Sequence, residues 1–360
     1  MVLESLNRRR QLREYKARRQ SSSSPSALDS RLALELSIRQ DPAVQNLLRS
    51  GRISDALGLV GSANPQLSLV QLRQIEFQLR HEALQVGRDT QAPRQPPADL
   101  PDPGSDLPAH QVSSDTVRVA MAHHGYLIIR GLFDGETAGQ ARGLIDRALD
   151  PNSGAAFHSP LRRLGEFTAV SARFRKNAST VFDGQANALD APAAADWVLD
   201  AYARSGILRW VEEYLGTRPA LALEKWTLRK VPPSNNSSWH QDGAFLGAEV
   251  NTINAWIALS DCGIDAPGLD LVDRRFRHVL PTGTEGAFFD WDISPAVVDS
   301  ERGDSPIIKP VFAPGDAIVF DQFLVHRTGV SPTMTLPRYA LESWFFSPDT
   351  VPGHYSGVLI

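Results

Sequence analysis

The chain has 360 residues, 42% of them hydrophobic, with seven Trp and fifteen Phe, which is enough for a sizeable core in one large domain plus an extension. A formal net charge of −4 argues against general affinity for nucleic acid, and a single cysteine, Cys262, excludes a disulfide framework or a thiolate metal cluster. No stretch approaches the ~18 apolar residues of a membrane span.

Residues 1–27 form a basic, Ser-rich arm: seven basic against two acidic residues in the first twenty, then Ser21 to Ser24. The composition reads as a solvated helix running into a disordered linker. No apolar h-region follows the Arg cluster, so a secretory leader is not expected and the cytoplasm is the expected location. Residues 28–86 read as a helical subdomain. Asp41-Pro42 caps one helix and Gly51 closes it; Ser54 and Ser68 start two more. Residues 87–112 carry six prolines and read as a stiff linker, which places a domain boundary before a 113–360 unit.

That unit begins with a helix capped at Ser113 or Ser114 and ending at Gly125. A buried strand, Tyr126 to Ile129, follows, and then a helix capped by Asp134 with Ala138, Ala141, Ile145 and Ala148 on one face. Residues 151–190 show no clean period and read as an excursion over a sheet. Asp196 to Leu215 is again helical. From Leu221 the pattern becomes short strands: 221–231, 252–261, 268–273, 307–312, 317–325 and 339–346, punctuated by Gly, Pro and Asp. Gaps too short for intervening helices exclude a doubly wound sheet. The expectation is a mainly β jelly roll with flanking helices and an N-terminal helical extension.

The chemistry gathers at Trp239-His240-Gln241-Asp242-Gly243. A His and an Asp two apart on an extended segment turn to one side. His326, at the end of the strand 317–325, would complete a 2-His-1-carboxylate facial triad, the ligand set of non-haem Fe(II) sites that keep positions open for a co-substrate and O2. Arg338 opens the next strand, where a hairpin would bring it beside the metal, and a planar guanidinium matches the far carboxylate of an α-keto acid. Arg outnumbers Lys 32 to 5, so Arg338 gains meaning only in this combination.

Together these segments resemble the phytanoyl-CoA dioxygenase family of Fe(II)/2-oxoglutarate oxygenases. His124 to Gly131 resembles the family's entry strand, Trp239-His240-Gln241-Asp242 its metal motif, and Asn254 to Leu259 its next core strand. Pro314-Gly315-Asp316, His326-Arg327-Thr328-Gly329 and Arg338 resemble its distal half. The resemblance covers about Ser113 to Pro348 and implies a double-stranded β-helix (cupin-like) core. It implies that His240, Asp242 and His326 hold Fe(II), that Arg338 holds 2-oxoglutarate, and that Trp256, Gln241 and Thr328 contact this co-substrate. Hydroxylation of an aliphatic C–H of a small substrate by O2, with release of succinate and CO2, would follow. Family members often carry a Pro-Gly-Ser-His segment after the strand that here reads Gly268 to Arg275, and the Asn and Ser that often follow the distal His are also altered; both departures bear on the substrate. Asp242 argues against the related halogenases, which need a small residue there.

Within 151–190, Phe167, Val170, Phe174 and Phe182 would anchor a lid over the barrel mouth. Arg173 and Arg175 would face an anionic group on the substrate. The polar loop Asp290-Trp291-Asp292 is a further candidate for substrate contact. Two other readings stay open: a cupin-like metalloenzyme without 2-oxoglutarate, and an inert barrel serving as a scaffold while helices 28–86 bind a protein partner.

Overall fold

Apolar residues that alternate along a strand need a partner layer for one face, and consecutive apolar residues need one for both. In a computed structural model of the chain, which describes residues 41–49, 53–63, 100–150, 184–188, 191–233, 238–284, 286–287, 289–348, 350 and 357–360, both faces of the main sheet are covered. The strands are β1 (Asp106–Pro108), β2 (Tyr126–Arg130), β3 (Gln185–Asn187), β4 (Ala220–Val231), β5 (Thr252–Ala258), β6 (Gly268–Val272), β7 (Ile307–Ile308), β8 (Ala317–Phe320), β9 (His326–Gly329), β10 (Arg338–Phe346) and β11 (Gly357–Leu359). The larger sheet runs β1-β2-β8-β5-β10-β4-β11 with β3 also on β4, and the smaller one runs β7-β6-β9. All pairings are antiparallel except β1 with β2.

The outer face of the larger sheet (Leu127, Ile129, Ile253, Ala255, Ile257, Val319, Leu341, Phe345) packs on helical residues such as Val117, Ala138, Ile145 and Trp210. The inner face (Tyr126, Ile128, Trp256, Ile318, Phe320, Ala340) meets Leu269 and Leu271 of β6 and Phe312. Each fully buried large side chain adds about 1.5–3 kcal/mol of transfer free energy. Two sheets closed around an interior, with helices on one outer face, form the expected double-stranded β-helix.

The caps hold the helices where the sequence puts them. Ser113 accepts from Thr116 N at 3.1 Å ahead of α3 (Ser114–His123), and Asp134 accepts from Thr137 N at 2.7 Å ahead of α4 (Gly135–Leu149). In the N-terminal part α1 (Pro42–Arg49) and α2 (Ile53–Ala63) pack against each other, and Asp41 Oδ1 accepts from Ala43 N at 2.8 Å at the start of α1. The turn Pro314-Gly315-Asp316 is built around the Asp316 carboxylate, which accepts from Gly131 N, Ala313 N and Arg130 Nη1 at 2.8–3.0 Å. Gly315 has φ 95°, and a Cβ there would run into the Phe133 carbonyl, so only glycine fits.

Four expectations change. The segment 87–112 is not linker throughout: Asp106–Pro108 is a strand of the main sheet, and Asp106 pairs with Arg130 at 2.6 Å. The helix 196–215 is two helices, α5 (Pro192–Ser205) and α6 (Ile207–Leu215), separated by Gly206 at φ 83°. The strand 317–325 ends at Phe320: Asp321 Oδ1 accepts from Phe323 N at 2.9 Å in a turn that carries the chain to the other sheet, so His326 opens β9. Within 151–190, residues 185–187 form β3 on β4; Arg173, Arg175 and the four apolar anchors of the expected lid lie outside the described residues, as do Gly51, the helix expected from Ser68 and residues 1–40. Among the described residues no helix is long and apolar enough to cross a membrane.

Candidate active site

His240 and His326 are cross-strand partners. Each backbone N–H donates to the other's carbonyl at 3.0 Å, and the same His326 pairs with Leu271 of β6 on its other side. The two rings lie 4.3 Å apart. Beyond Trp239 and His240 the chain leaves the extended conformation. Asp242 has φ −62° and ψ −27° at the start of the short helix α7 (Gly243–Leu246), so a helical turn, not strand alternation, aims its carboxylate. One ligand atom from each of His240, Asp242 and His326 lies within 4.8 Å of the other two. Gly243 makes this turn possible, because a Cβ there would meet Val279 Cγ2 at 2.8 Å and the Gln322 carbonyl at 3.1 Å.

Backbone carbonyls fix the imidazole tautomers. His240 Nδ1 lies 2.9 Å from Ser238 O and His326 Nδ1 lies 3.1 Å from Leu324 O. A carbonyl only accepts, so each Nδ1 carries the proton and each Nε2 keeps its lone pair for a ligand role. Burial and the neighbouring His326 push the His240 imidazole down to about 3, so it is neutral at ordinary pH. Asp242 is almost fully buried, and burial pushes its carboxyl up despite His326 and Lys225. A buried carboxylate facing two imidazole Nε2 atoms calls for a cation, and the N,N,O donor set suits a divalent transition metal. The chain thus fits the iron that its sequence implies. Asn254 Nδ2 donates to Asp242 Oδ2 at 2.9 Å and holds that carboxylate in place.

Thr328 is two residues from His326 on β9, so it faces the same interior, whereas Arg327 between them turns to Asp270 at 2.8 Å. Arg338 does not reach the site by a hairpin, since β9 and β10 belong to different sheets. It crosses the barrel instead: Nη1 donates to Gly268 O at 2.9 Å, and the guanidinium lies 5.3 Å from the Trp256 ring. Gly268 pairs with Gly329, three residues past His326, so Arg338 stands roughly 10 Å along β9 from the metal ligand. Arg338 is 1% exposed, its Nε and the Trp256 Nε1 have no partner, and no carboxylate pairs with it among the described residues. Burial, with the charge of Arg229, pushes its guanidinium down to about 10.

Gln241 departs from expectation. Its Nε2 donates to Phe323 O at 2.6 Å and His278 O at 3.1 Å, while Oε1 accepts from Leu280 N at 2.7 Å. A fully buried amide with three backbone partners clamps two loops together and has no N–H left to donate to a co-substrate carboxylate. The sequence reading also missed Asn254, Lys225, Arg229 and Glu342. Glu342 accepts from Arg229 Nη1 at 2.8 Å, and Lys225 lies 4.4 Å from the Trp344 ring. Phe245 stands 6.0 Å from the His240 ring and 5.5 Å from Trp291, which brings one member of the 290–292 loop beside the site.

Three solved structures are similar to this chain at low identity. They are the non-haem α-ketoglutarate-dependent epimerase SnoN from nogalamycin biosynthesis (15% identity, 67% of this chain and 90% of that one, TM-score 0.44), EctD from S. alaskensis (15%, 66% and 77%, 0.42) and EvdO2 from Micromonospora carbonacea var. aurantiaca (17%, 68% and 91%, 0.44). A search of curated proteins finds no match. The phytanoyl-CoA dioxygenase (PhyH) family model matches residues 121–334, more than half of the chain, from the last turn of α3 to the loop before Arg338. The chain belongs to the phytanoyl-CoA dioxygenase family.

Proposed function

We propose that the chain is an Fe(II)- and 2-oxoglutarate-dependent dioxygenase that hydroxylates an aliphatic C–H of a small organic substrate, releasing succinate and CO2. The observation that carries this is the pairing of a His240-Asp242-His326 ligand set with an almost fully buried Arg338 one short strand away. A buried guanidinium is costly unless an anion meets it, and a five-carbon keto diacid spans the interval between a metal ligand and that charge. Iron(II), when bound with 2-oxoglutarate and O2, supplies oxidation of the C–H coupled to decarboxylation of the keto acid.

The chain's own residues supply position and dryness. His240, Asp242 and His326 would hold the metal through one ligand atom each. Asn254 keeps Asp242 oriented, and the carbonyls of Ser238 and Leu324 keep both imidazoles in the ligating tautomer. Arg338 receives the far carboxylate, with Thr328 and Trp256 lining the interval. The apolar interior of Ile318, Phe320 and Leu271 excludes water from the co-substrate. A cupin-like reaction without a keto acid leaves Arg338 without a role, and a scaffold leaves the ligand set without one.

Purified chain given Fe(II), 2-oxoglutarate and O2 should form succinate slowly without substrate, and Asp242→Ala should not. Absence of both succinate and 2-oxoglutarate binding in the wild type contradicts the proposal.

A further inference from the structure

The inner face of the larger sheet carries a cation, Lys225, that neither the ligand set nor the co-substrate uses. Lys225 lies on β4 where the strand loses register with β10: four residues lie between Leu221 and Trp226, but only one between their partners Phe345 and Ser343. Such bulges re-aim side chains and occur beside active sites. This one lays Lys225 Nζ 4.4 Å from the Trp344 ring and 5.1 Å from Phe245, whose own ring stands edge-on to His240. Lys225 is half-buried and makes no ion pair with a carboxylate among the described residues. Of the acids whose charge it meets, Glu342 is already bonded to Arg229 at 2.8 Å and to Thr227 at 3.4 Å, and Asp242 is bonded to Asn254 at 2.9 Å. Because the Phe245 ring lies 5.1 Å from Lys225 Nζ and 6.0 Å from the His240 ring, Lys225 stands at the metal-ligand end of the barrel.

With the metal and co-substrate of the proposed function in place, the inward charges cancel in groups. Arg229 cancels Glu342, Arg338 cancels the far carboxylate, and the dication cancels Asp242 together with the near carboxylate. Lys225 is left over. A half-buried ammonium that forms no ion pair among the described residues is a recognition element for an anion, while the flanking rings of Phe245 and Trp291, both partly exposed, offer a flat apolar surface beside it. We infer that Lys225 and the Phe245–Trp291 rings form the substrate-binding site, and that the substrate is an apolar or aromatic body bearing one carboxylate-type anion. The anion seats on Lys225 and the body covers the rings, next to His240. Lys225 is then a specificity-determining residue for substrate and not for iron or 2-oxoglutarate. This inference rests on the oxygenase reading and adds a substrate class to it.

The test is calorimetric titration of the full chain, loaded with Fe(II) and 2-oxoglutarate under argon, with 1-naphthoate and with its neutral isostere 1-naphthamide. The wild type should bind the anion roughly tenfold or more tightly than the amide, as expected for one charge-assisted hydrogen bond. In Lys225→Met that preference should fall below about twofold with amide binding unchanged, and Lys225→Arg should restore it; Lys225→Gln replaces the Met variant if the latter does not fold. Equal binding of the two compounds by the wild type, including none of either, overturns the inference, as does a preference that survives in Lys225→Met. A tenfold loss of 2-oxoglutarate affinity in Lys225→Met also overturns it, because the lysine then serves the co-substrate. The oxygenase reading fails separately, through 2-oxoglutarate titration of the wild type and Arg338→Gln.

Discussion

The two faces of the same strands teach different things. On β5, Ile253, Ala255 and Ile257 face the helices, while Thr252, Asn254 and Trp256 face the barrel interior; on β10, Leu341 and Phe345 face out, while Arg338, Glu342 and Trp344 face in. The outer set is interchangeable apolar volume. The inner set includes an amide on a ligand, a buried guanidinium and a half-buried carboxylate, groups that cost stability unless they are matched. Folding of the larger sheet is therefore carried by one residue parity and chemistry by the other, and substitutions on the two parities should separate.

The largest effect lies at the metal. His240→Ala, Asp242→Ala and His326→Ala should each reduce succinate formation to background and remove Fe(II) binding, with a thermal melt close to that of the metal-free wild type. A variant of the three that turns over normally would place the metal elsewhere. On the outer parity, Phe345→Ala removes a fully buried ring from the helix-facing core and should cost about 3–5 kcal/mol in denaturant unfolding. Its Fe(II) and 2-oxoglutarate affinities, measured on folded protein in the cold, should stay near wild type. Asn254→Ala, one residue from Ile253 but on the inner parity, should show the reverse: little change in stability and an iron affinity lower by roughly 10- to 100-fold, the usual consequence of freeing a ligand's orienting partner.

The smallest effect is one of pH. Burial works against the ionised Glu342, but the charges of Arg229 and Lys225 and the Arg229 hydrogen bond outweigh it and hold the carboxyl at about 2, below its ordinary 4.5. A depressed carboxyl contributes stability above pH 4.5 and loses it as pH falls toward 2. Unfolding measured between pH 5 and 2.5 should therefore fall more steeply for wild type than for Glu342→Gln. Parallel curves would show that Arg229 and Glu342 contribute no net coupling.

The parity rule also explains what was legible in the sequence. Caps at Ser113 and Asp134, the β2 run and the order of strands follow from local chemistry and could be read directly. His240, Asp242 and His326 were legible because a ligand set needs rare residue types at a fixed spacing. Arg338 was legible as a residue but not as a path: its neighbour in space is Gly268, across the barrel, and no hairpin joins it to His326. Gln241 looked like a site residue because it stands between two ligands, yet its amide clamps the 278–280 and 323 backbones. Asn254 and Lys225 were hidden because their meaning depends on strand register and on a bulge, both set by tertiary pairing. The linker assignment failed at 106–108 because parallel pairing with β2 offers extended, proline-containing chain a place at a sheet edge.

The central claim is that Arg338 holds a co-substrate carboxylate whose other end meets the metal ligands. The direct measurement is calorimetric titration of 2-oxoglutarate and, separately, of Fe(II) into wild type and Arg338→Gln under argon. Loss of a buried, charge-assisted pair should weaken 2-oxoglutarate binding by about 2–5 kcal/mol, with Fe(II) affinity changed less than about threefold, under 1 kcal/mol. Equal weakening of both, or an unchanged 2-oxoglutarate affinity, would contradict the account and leave Arg338 as a structural residue of the barrel.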